Sequence, residues 1–115
     1  MKTVIYHNPK CSTCRKALNL LAERNVEVEI VEYLKTPPSQ RELEDILTKL
    51  GLEPRELMRN KEKLYQEKGL DNPDLDDATL IRAMVENPIL IQRPIVLFGD
   101  KAALGRPVER IVDIL

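Results

Sequence analysis

The segment TVIYHNPKCSTCRKAL, residues 3–18, contains both cysteines of the chain, Cys11 and Cys14, and its only histidine, His7. β-Branched and aromatic residues open the segment, which predicts a short buried strand. Asn-Pro then interrupts the pattern, and from Ser12 onward the apolar residues recur at helical spacing. The sequence therefore predicts a strand, a loop that carries the thiols, and a helix that begins directly after Cys11.

The composition is that of an ordinary globular protein. The chain has 115 residues, of which 43% are apolar and 32% charged, and its formal net charge is -1. This length predicts a single domain over residues 1–115, and the charge favours neither nucleic acid nor a membrane as a partner. No apolar run approaches the ~20 residues of a membrane span, and no signal-peptide pattern opens the chain. We therefore expect a cytoplasmic protein with reduced thiols.

The rest of the chain alternates between strand and helix patterns. Predicted strands with β-branched residues lie at 3–6, 26–33 and 94–98, and residues 101–104 follow a Gly-Asp turn as a short hairpin partner. A helical block starts with Ser39, which stands three residues before Glu42 in a capping-box pattern. A last helix is expected to have Pro107 at its first position. The order βαβ, helices, ββα predicts an α/β protein with a thioredoxin-like fold and a helical insertion in the middle of the chain.

Cys11 stands where a protein favours a thiolate. The first N–H groups of a helix are unpaired, and the helix dipole places partial positive charge beside them. Such a position lowers a cysteine pKa from about 8.5 toward roughly 3.5–7.5. The same N–H groups bind oxyanions. His7, four residues earlier, is a candidate to stabilise the thiolate or transfer a proton, and an ordinary hydrogen-bonded role at the strand end is the alternative.

Cys14 admits two interpretations. It completes a C-x-x-C pattern, which is typical of a redox pair, but its place in the first helical turn fits a packing role equally well. Two cysteines and one histidine also lack the fourth ligand of a structural zinc site. We therefore expect no bound metal.

Three arginines stand at the ends of predicted elements. They are Arg59, Arg93 and Arg106. The last two each precede a proline, at the start of a strand and of a helix. Guanidinium groups that converge on a thiolate would form a fork-shaped oxyanion pocket. A solvated surface position is the alternative for each of them.

Taken together, these stretches resemble the glutaredoxin-coupled bacterial arsenate reductases over nearly the whole chain. The matching stretches are YHNPKCSTCRKAL, EYLKTPPSQRELEDIL, RELMRNKEKLY, NPILIQRPIVL and GRPVERIVDIL. The resemblance implies that Cys11 is the nucleophile, that His7 is the histidine near it, and that Pro94 is a cis-proline. It also implies substrate-binding roles for Arg59, Arg93 and Arg106.

The resemblance further implies a reaction. The Cys11 thiolate attacks arsenate and forms a covalent arseno-cysteine adduct, which glutathione and glutaredoxin resolve with release of arsenite. Glutathione is then a co-substrate, and glutaredoxin a protein partner. No metal or bound organic cofactor is implied. The resemblance leaves the oligomeric state open.

One departure from the family pattern keeps two alternatives open. The best-known members do not have a cysteine at the position of Cys14, which makes this residue a candidate resolving thiol and the chain a candidate thiol oxidoreductase. C-x-x-C followed by Arg-Lys-Ala also resembles the Spx-like redox regulators, which share the fold and bind RNA polymerase. The HNP run before Cys11 and the arginine at Arg106 favour the reductases over the regulators.

Overall fold

The computed structural model describes residues 3–115, which divide into two compact units. The first unit contains the chain up to Thr36 together with Arg93–Leu115, and the second is Pro37–Gln92. The second unit corresponds to the predicted helical insertion. Within residues 3–115, no helix is long and apolar enough to cross a membrane. The prediction of a single domain stays a prediction.

The first unit is built on a sheet with mixed strand directions. Its strands are β1 (Thr3–His7), β2 (Glu29–Glu32), β3 (Ile95–Phe98) and β4 (Lys101–Leu104). Among the described residues these four form one sheet in the order β2-β1-β3-β4. β2 is parallel to β1, β3 is antiparallel to β1, and β4 is antiparallel to β3. The last residues of β1, β2 and β4 and the first residue of β3 therefore share one edge, here called the thiol edge: His7, Glu32, Leu104 and Ile95.

Helix α1 (Ser12–Glu23) packs its apolar side on this sheet. Ala17 and Leu21 are fully buried and four residues apart, so they lie on one face of the helix. Their cluster also contains Ile5, Val96, Ala103 and Ile111. Fully burying a leucine or isoleucine contributes roughly 1.5–3 kcal/mol. This packing fixes the start of α1, and with it Cys11, beside the thiol edge.

Two element boundaries differ from the sequence-based expectation. β2 begins at Glu29 and not at Val26, because the Val26 N–H donates to the Leu21 carbonyl at 3.0 Å and still belongs to the turn that ends α1. The last helix is a 3₁₀ helix, Val108–Ile114. The expectation that Pro107 occupies its first helical position was wrong: Pro107 precedes it. The expectation of a cis-proline at Pro94 is confirmed, and Pro107 is cis as well.

The regular secondary-structure elements of the second unit are helices. Its α-helices are α2 (Gln40–Leu50), α3 (Pro54–Leu57), α4 (Lys63–Glu67) and α5 (Asp77–Glu86), and a 3₁₀ helix follows at Pro88–Leu90. The capping box is confirmed: Ser39 Oγ accepts from the Glu42 N–H at 3.1 Å, and Glu42 Oε1 accepts from the Ser39 N–H at 3.0 Å. α5 packs against α2 and α3. Together these elements give the predicted thioredoxin-like fold with its insertion.

Arg55 connects three parts of the second unit that the sequence did not link. Its Nη1 donates to the Tyr65 hydroxyl at 2.6 Å and to the Leu70 carbonyl at 2.6 Å. Its Nη2 donates to the Asn72 carbonyl at 2.9 Å. A guanidinium group suits this position because it presents several donors in one rigid plane. Arg55 therefore holds the segment that follows α4 onto α3.

Candidate active site

The sheet register brings four of the predicted site residues to the thiol edge. His7 is the last residue of β1, and Cys11 lies in the loop that follows it. Ile95 of β3 pairs with Leu104 of β4. Arg93 stands two residues before this pair and Arg106 two residues after it, so both arginines emerge on the side of the sheet where the thiol loop lies. The topology alone thus explains why residues distant in the sequence meet.

Asn8 organises the loop between β1 and α1. Its carbonyl accepts the Cys11 N–H at 2.9 Å, and its Oδ1 accepts the Lys10 N–H at 3.0 Å. Arg15 closes the loop from the first helical turns, because its Nη1 donates to the Pro9 carbonyl at 2.8 Å. The sequence did not predict these roles. The Asn-Pro pair was the available signal, since asparagine side chains commonly bond the backbone two residues on.

Cys11 is the N-cap residue of α1 and is only 8% exposed. Arg106 Nη2 lies 3.9 Å from Cys11 Sγ, and Arg106 Nε donates to the Arg93 carbonyl at 2.7 Å. Burial raises the pKa of the Cys11 thiol, but hydrogen bonds from Cys14 and the charge of Arg93 outweigh it and bring the pKa down to about 7. The lowered pKa makes the reactive thiolate accessible at neutral pH.

The guanidinium of Arg93 has buried hydrogen-bond donors that are not satisfied within the described part of the chain. Its Nε and Nη1 are buried, and within residues 3–115 neither has a hydrogen-bond partner. Buried donors without a partner are uncommon and cost free energy. Guanidinium N–H groups form strong, charge-assisted hydrogen bonds to oxyanions, so the unpartnered donors of Arg93 are suited to such a ligand.

Gly105 sets the spacing between the segments that carry the two arginines. Its N–H donates to the Pro94 carbonyl at 2.9 Å. A Cβ at this position would lie 2.8 Å from Pro94 Cγ and 3.0 Å from Ile111 Cδ1. Only glycine lets the two segments approach this closely. The role of Gly105 was not predicted from the sequence, although the GRP stretch contains this residue.

Cys14 is close to Cys11 but has the opposite properties. It is fully buried, and both cysteines are free thiols. Burial first, and then the neighbouring Cys11, raise the pKa of Cys14 to about 11. Cys14 is therefore a protonated thiol at neutral pH, and its hydrogen bond helps to lower the pKa of Cys11.

His7 is 6% exposed, and its Nδ1 is buried with no hydrogen-bond partner within residues 3–115. Burial lowers the pKa of His7 most strongly, the charge of Arg15 lowers it further, and Glu32 opposes both. The imidazole is consequently neutral at pH 7. It can transfer a proton, but at this pH it does not place a positive charge beside Cys11.

Arg59 belongs to the second unit and follows α3. Its N–H donates to the Leu90 carbonyl at 2.7 Å, and its Nη1 pairs with Glu62 Oε1 at 2.8 Å. Glu62 was not anticipated as a partner. The predicted part of Arg59 in the active site stays a prediction. Across residues 3–115, no group of three or more His, Cys, Asp or Glu side chains is placed to hold a metal ion.

Comparison with known proteins identifies the family. The ArsC family matches residues 6–114. An arsenate reductase from Neisseria meningitidis serogroup A is 54% identical over 112 residues, which cover 96% of both chains. One from Haemophilus influenzae is 46% identical over the full length of both. Among solved structures, an arsenate reductase from Vibrio cholerae shares 46% identity with a TM-score of 0.97, covering 100% of this chain and 98% of the other. The resemblance and the fold predicted from the sequence are confirmed, and the chain belongs to the ArsC family.

Proposed function

We propose that this chain is an arsenate reductase in which Cys11 is the nucleophile. The observation that carries the proposal is the contact of 3.9 Å between Arg106 Nη2 and Cys11 Sγ at the start of a helix. A thiol with a pKa of about 7 supplies the reactive thiolate at neutral pH. The names of the similar proteins from Neisseria and Haemophilus support arsenate as the substrate.

The substrate oxyanion binds between the helix start and the arginines. α1 leaves the N–H groups of Ser12 and Thr13 without an intrahelical acceptor, and both point to the N-terminal side of the helix. Arg93 offers two donors that have no other partner among the described residues, and Arg106 already reaches the thiol. Arg59 is the third proposed ligand, and its support is the sequence resemblance. Positive charge and N–H donors together hold the arsenate against Cys11.

The first chemical step forms a sulfur–arsenic bond. The Cys11 thiolate attacks arsenic(V), and an arsenate hydroxyl leaves with a proton as water. Arsenic is not yet reduced at this stage. His7, as a neutral imidazole, is proposed to tune the thiol and to move the proton.

The second stage needs two electrons from thiols. Glutathione displaces a further hydroxyl as water and forms its own sulfur–arsenic bond. The thiolate of glutaredoxin then attacks the glutathione sulfur and forms a mixed disulfide, and the electron pair of the broken bond reduces arsenic(V) to arsenic(III). Water finally hydrolyses the bond to Cys11 and releases arsenite. No metal or bound organic cofactor takes part, and glutathione is a co-substrate.

Cys14 is the alternative source of the second thiol. In that route Cys14 attacks Cys11 sulfur, forms an internal disulfide and leaves the electron pair on arsenic. Its complete burial and a pKa of about 11 favour the external thiol, because little thiolate is present at neutral pH. Both routes require reduced thiols, and we place the protein in the cytoplasm on that ground.

Arsenic speciation tests the proposal directly. Arsenate is incubated with the chain, glutathione and glutaredoxin, and arsenite is separated from arsenate by chromatography. We expect arsenite to form in proportion to the amount of chain added. The Cys11→Ala variant is the matched control and should give the background rate. Equal arsenite formation with and without the wild-type chain would contradict the proposal.

A further inference from the structure

An external thiol must reach arsenic while arsenic is bonded to Cys11, so a binding site for that thiol has to adjoin the Cys11–Arg106 contact. A pocket of about 340 Å³ does so in the first unit. Thr13, Lys16, Arg106 and Glu109 contribute to its lining. Its volume falls in the range of about 300–1,000 Å³ that is typical of small-molecule sites.

Arg106 connects the pocket with the reactive thiol. Its guanidinium is 3.9 Å from Cys11 Sγ, and the same side chain lines the pocket. Thr13 stands two residues after Cys11 in the first turn of α1. A ligand seated in the pocket would therefore lie against a side chain that itself contacts the reacting sulfur.

The charges of the pocket define the chemistry of its ligand. Lys16 and Arg106 supply two cations, and Glu109 supplies one carboxylate. All three are exposed, and neither Lys16 nor Glu109 forms an ion pair with another described residue. Glutathione has the complementary set: two carboxylates, one ammonium group and a thiol. We propose that this pocket is the glutathione site, an inference that rests on the proposed function and gives its second stage a location.

A second pocket near the thiol loop fits less well. It has about 420 Å³ and is lined by residues 7–10 together with Glu32, Leu34 and Lys35. Lys35 is already paired with Glu32 at 3.7 Å. None of the residues that line it makes a hydrogen bond to Cys11 Sγ within the described part of the chain. Lys35 therefore offers a matched control for Lys16, since both are exposed lysines beside the same loop.

The test is a binding titration that needs no turnover. S-Methylglutathione, which lacks a free thiol, is added to the full chain, and backbone amide shifts are followed by NMR. We expect shifts centred on Thr13, Lys16 and Glu109. Lys16→Glu should weaken binding about three- to tenfold, as expected for reversing one exposed charge contact, and Lys35→Glu should leave it unchanged. Shifts confined to residues 32–35, or equal binding by both variants and the wild type, would overturn the inference.

Glu109 supplies an independent test of how glutathione is oriented in the pocket. Glu109→Gln should weaken binding of S-methylglutathione but not of its analogue without the α-amine, because only the former presents an ammonium group. Equal losses for both ligands would contradict the assignment. In steady-state assays Lys16→Glu should raise KM for glutathione and leave KM for arsenate unchanged. Binding at this pocket without arsenite formation would refute the proposed function and leave the glutathione site standing.

Discussion

Arg106 joins the reactive thiol to the segment before β3. Its Nη2 lies 3.9 Å from Cys11 Sγ, while its Nε donates to the Arg93 carbonyl at 2.7 Å. One guanidinium thus touches the nucleophile and also fixes the backbone that carries the neighbouring arginine. A lysine has a single ammonium group and cannot reproduce both contacts.

Replacing Arg106 should therefore impair catalysis more than folding. We expect Arg106→Gln to lower kcat/KM for arsenate. The corresponding loss of transition-state stabilisation should be about 2–4 kcal/mol, the usual effect of removing one donor that stabilises a transition state. Arg106→Lys should recover only part of this loss. Steady-state kinetics measures the effect, and Arg110→Gln, at an exposed arginine of the same segment, is the control. Unchanged kinetics in Arg106→Gln would remove this residue from the site.

The pH dependence of Cys11 reactivity follows from its lowered pKa. Because the thiolate is the reactive form, the alkylation rate of Cys11 should rise with pH through a midpoint near 7. Arg93→Gln removes a positive charge that lowers this pKa, so its midpoint should move to higher pH. Iodoacetamide labelling followed by peptide mass spectrometry measures the midpoint. Arg24→Gln, at an exposed arginine that ends α1, is the control and should keep the wild-type midpoint. If Arg93→Gln also keeps the wild-type midpoint, the effect of the Arg93 charge is refuted.

The close approach at Gly105 predicts a cost in stability. In Gly105→Ala the new Cβ would meet Pro94 Cγ at 2.8 Å and Ile111 Cδ1 at 3.0 Å. We expect the free energy of unfolding to fall by about 1–3 kcal/mol, as for other overpacked sites. Chemical denaturation measures it.

The double variant Gly105→Ala/Ile111→Val is the control for this contact. Valine lacks the Cδ1 atom, so the two changes should be less harmful together than the sum of their separate effects. Strictly additive changes in the free energy of unfolding would show that the alanine Cβ does not clash with Ile111.

Much of this architecture could be predicted from the sequence because its signals are local. The Ser39 capping box, the hairpin of β3 and β4, and the helix that starts after Cys11 all depend on neighbouring residues. The start of β2 was missed because a single hydrogen bond from Val26 to α1 keeps the chain in a turn.

The electrostatics of the candidate site could not be predicted from the sequence. Arg106 contacts both Cys11 Sγ and the Arg93 carbonyl, while the catalytic and substrate-binding roles of these residues stay predictions. The sequence could not show that the pKa of His7 is lowered or that the pKa values of the two cysteines move in opposite directions. Burial is the main cause for His7 and Cys14, whereas in Cys11 the hydrogen bonds from Cys14 and the charge of Arg93 outweigh burial. The roles of Gly105 and Arg55 depend on contacts between distant residues, which no local pattern encodes.

Arg55 is predicted to be structural. Arg55→Met would leave the Leu70 and Asn72 carbonyls and the Tyr65 hydroxyl without their donor. We expect the free energy of unfolding to fall by about 2–3 kcal/mol, since hydrogen bonds to a charged group are stronger than neutral ones. Thermal and urea denaturation check this.

Arg41→Met is the matched control for Arg55→Met, because Arg41 is exposed on α2. Its free energy of unfolding should stay within about 0.5 kcal/mol of the wild type. Equal stability of the two variants would contradict the structural role of Arg55.

The proposed reaction is the attack of Cys11 on arsenate, with an external thiol completing the reduction. Arsenate-dependent NADPH oxidation, coupled through glutathione reductase, glutathione and glutaredoxin, tests it in the wild type, Cys11→Ser and Cys14→Ser. We expect turnover in the wild type and in Cys14→Ser, and none in Cys11→Ser. Loss of turnover in both variants would instead establish an internal disulfide relay, and no turnover in the wild type would contradict the reductase assignment itself.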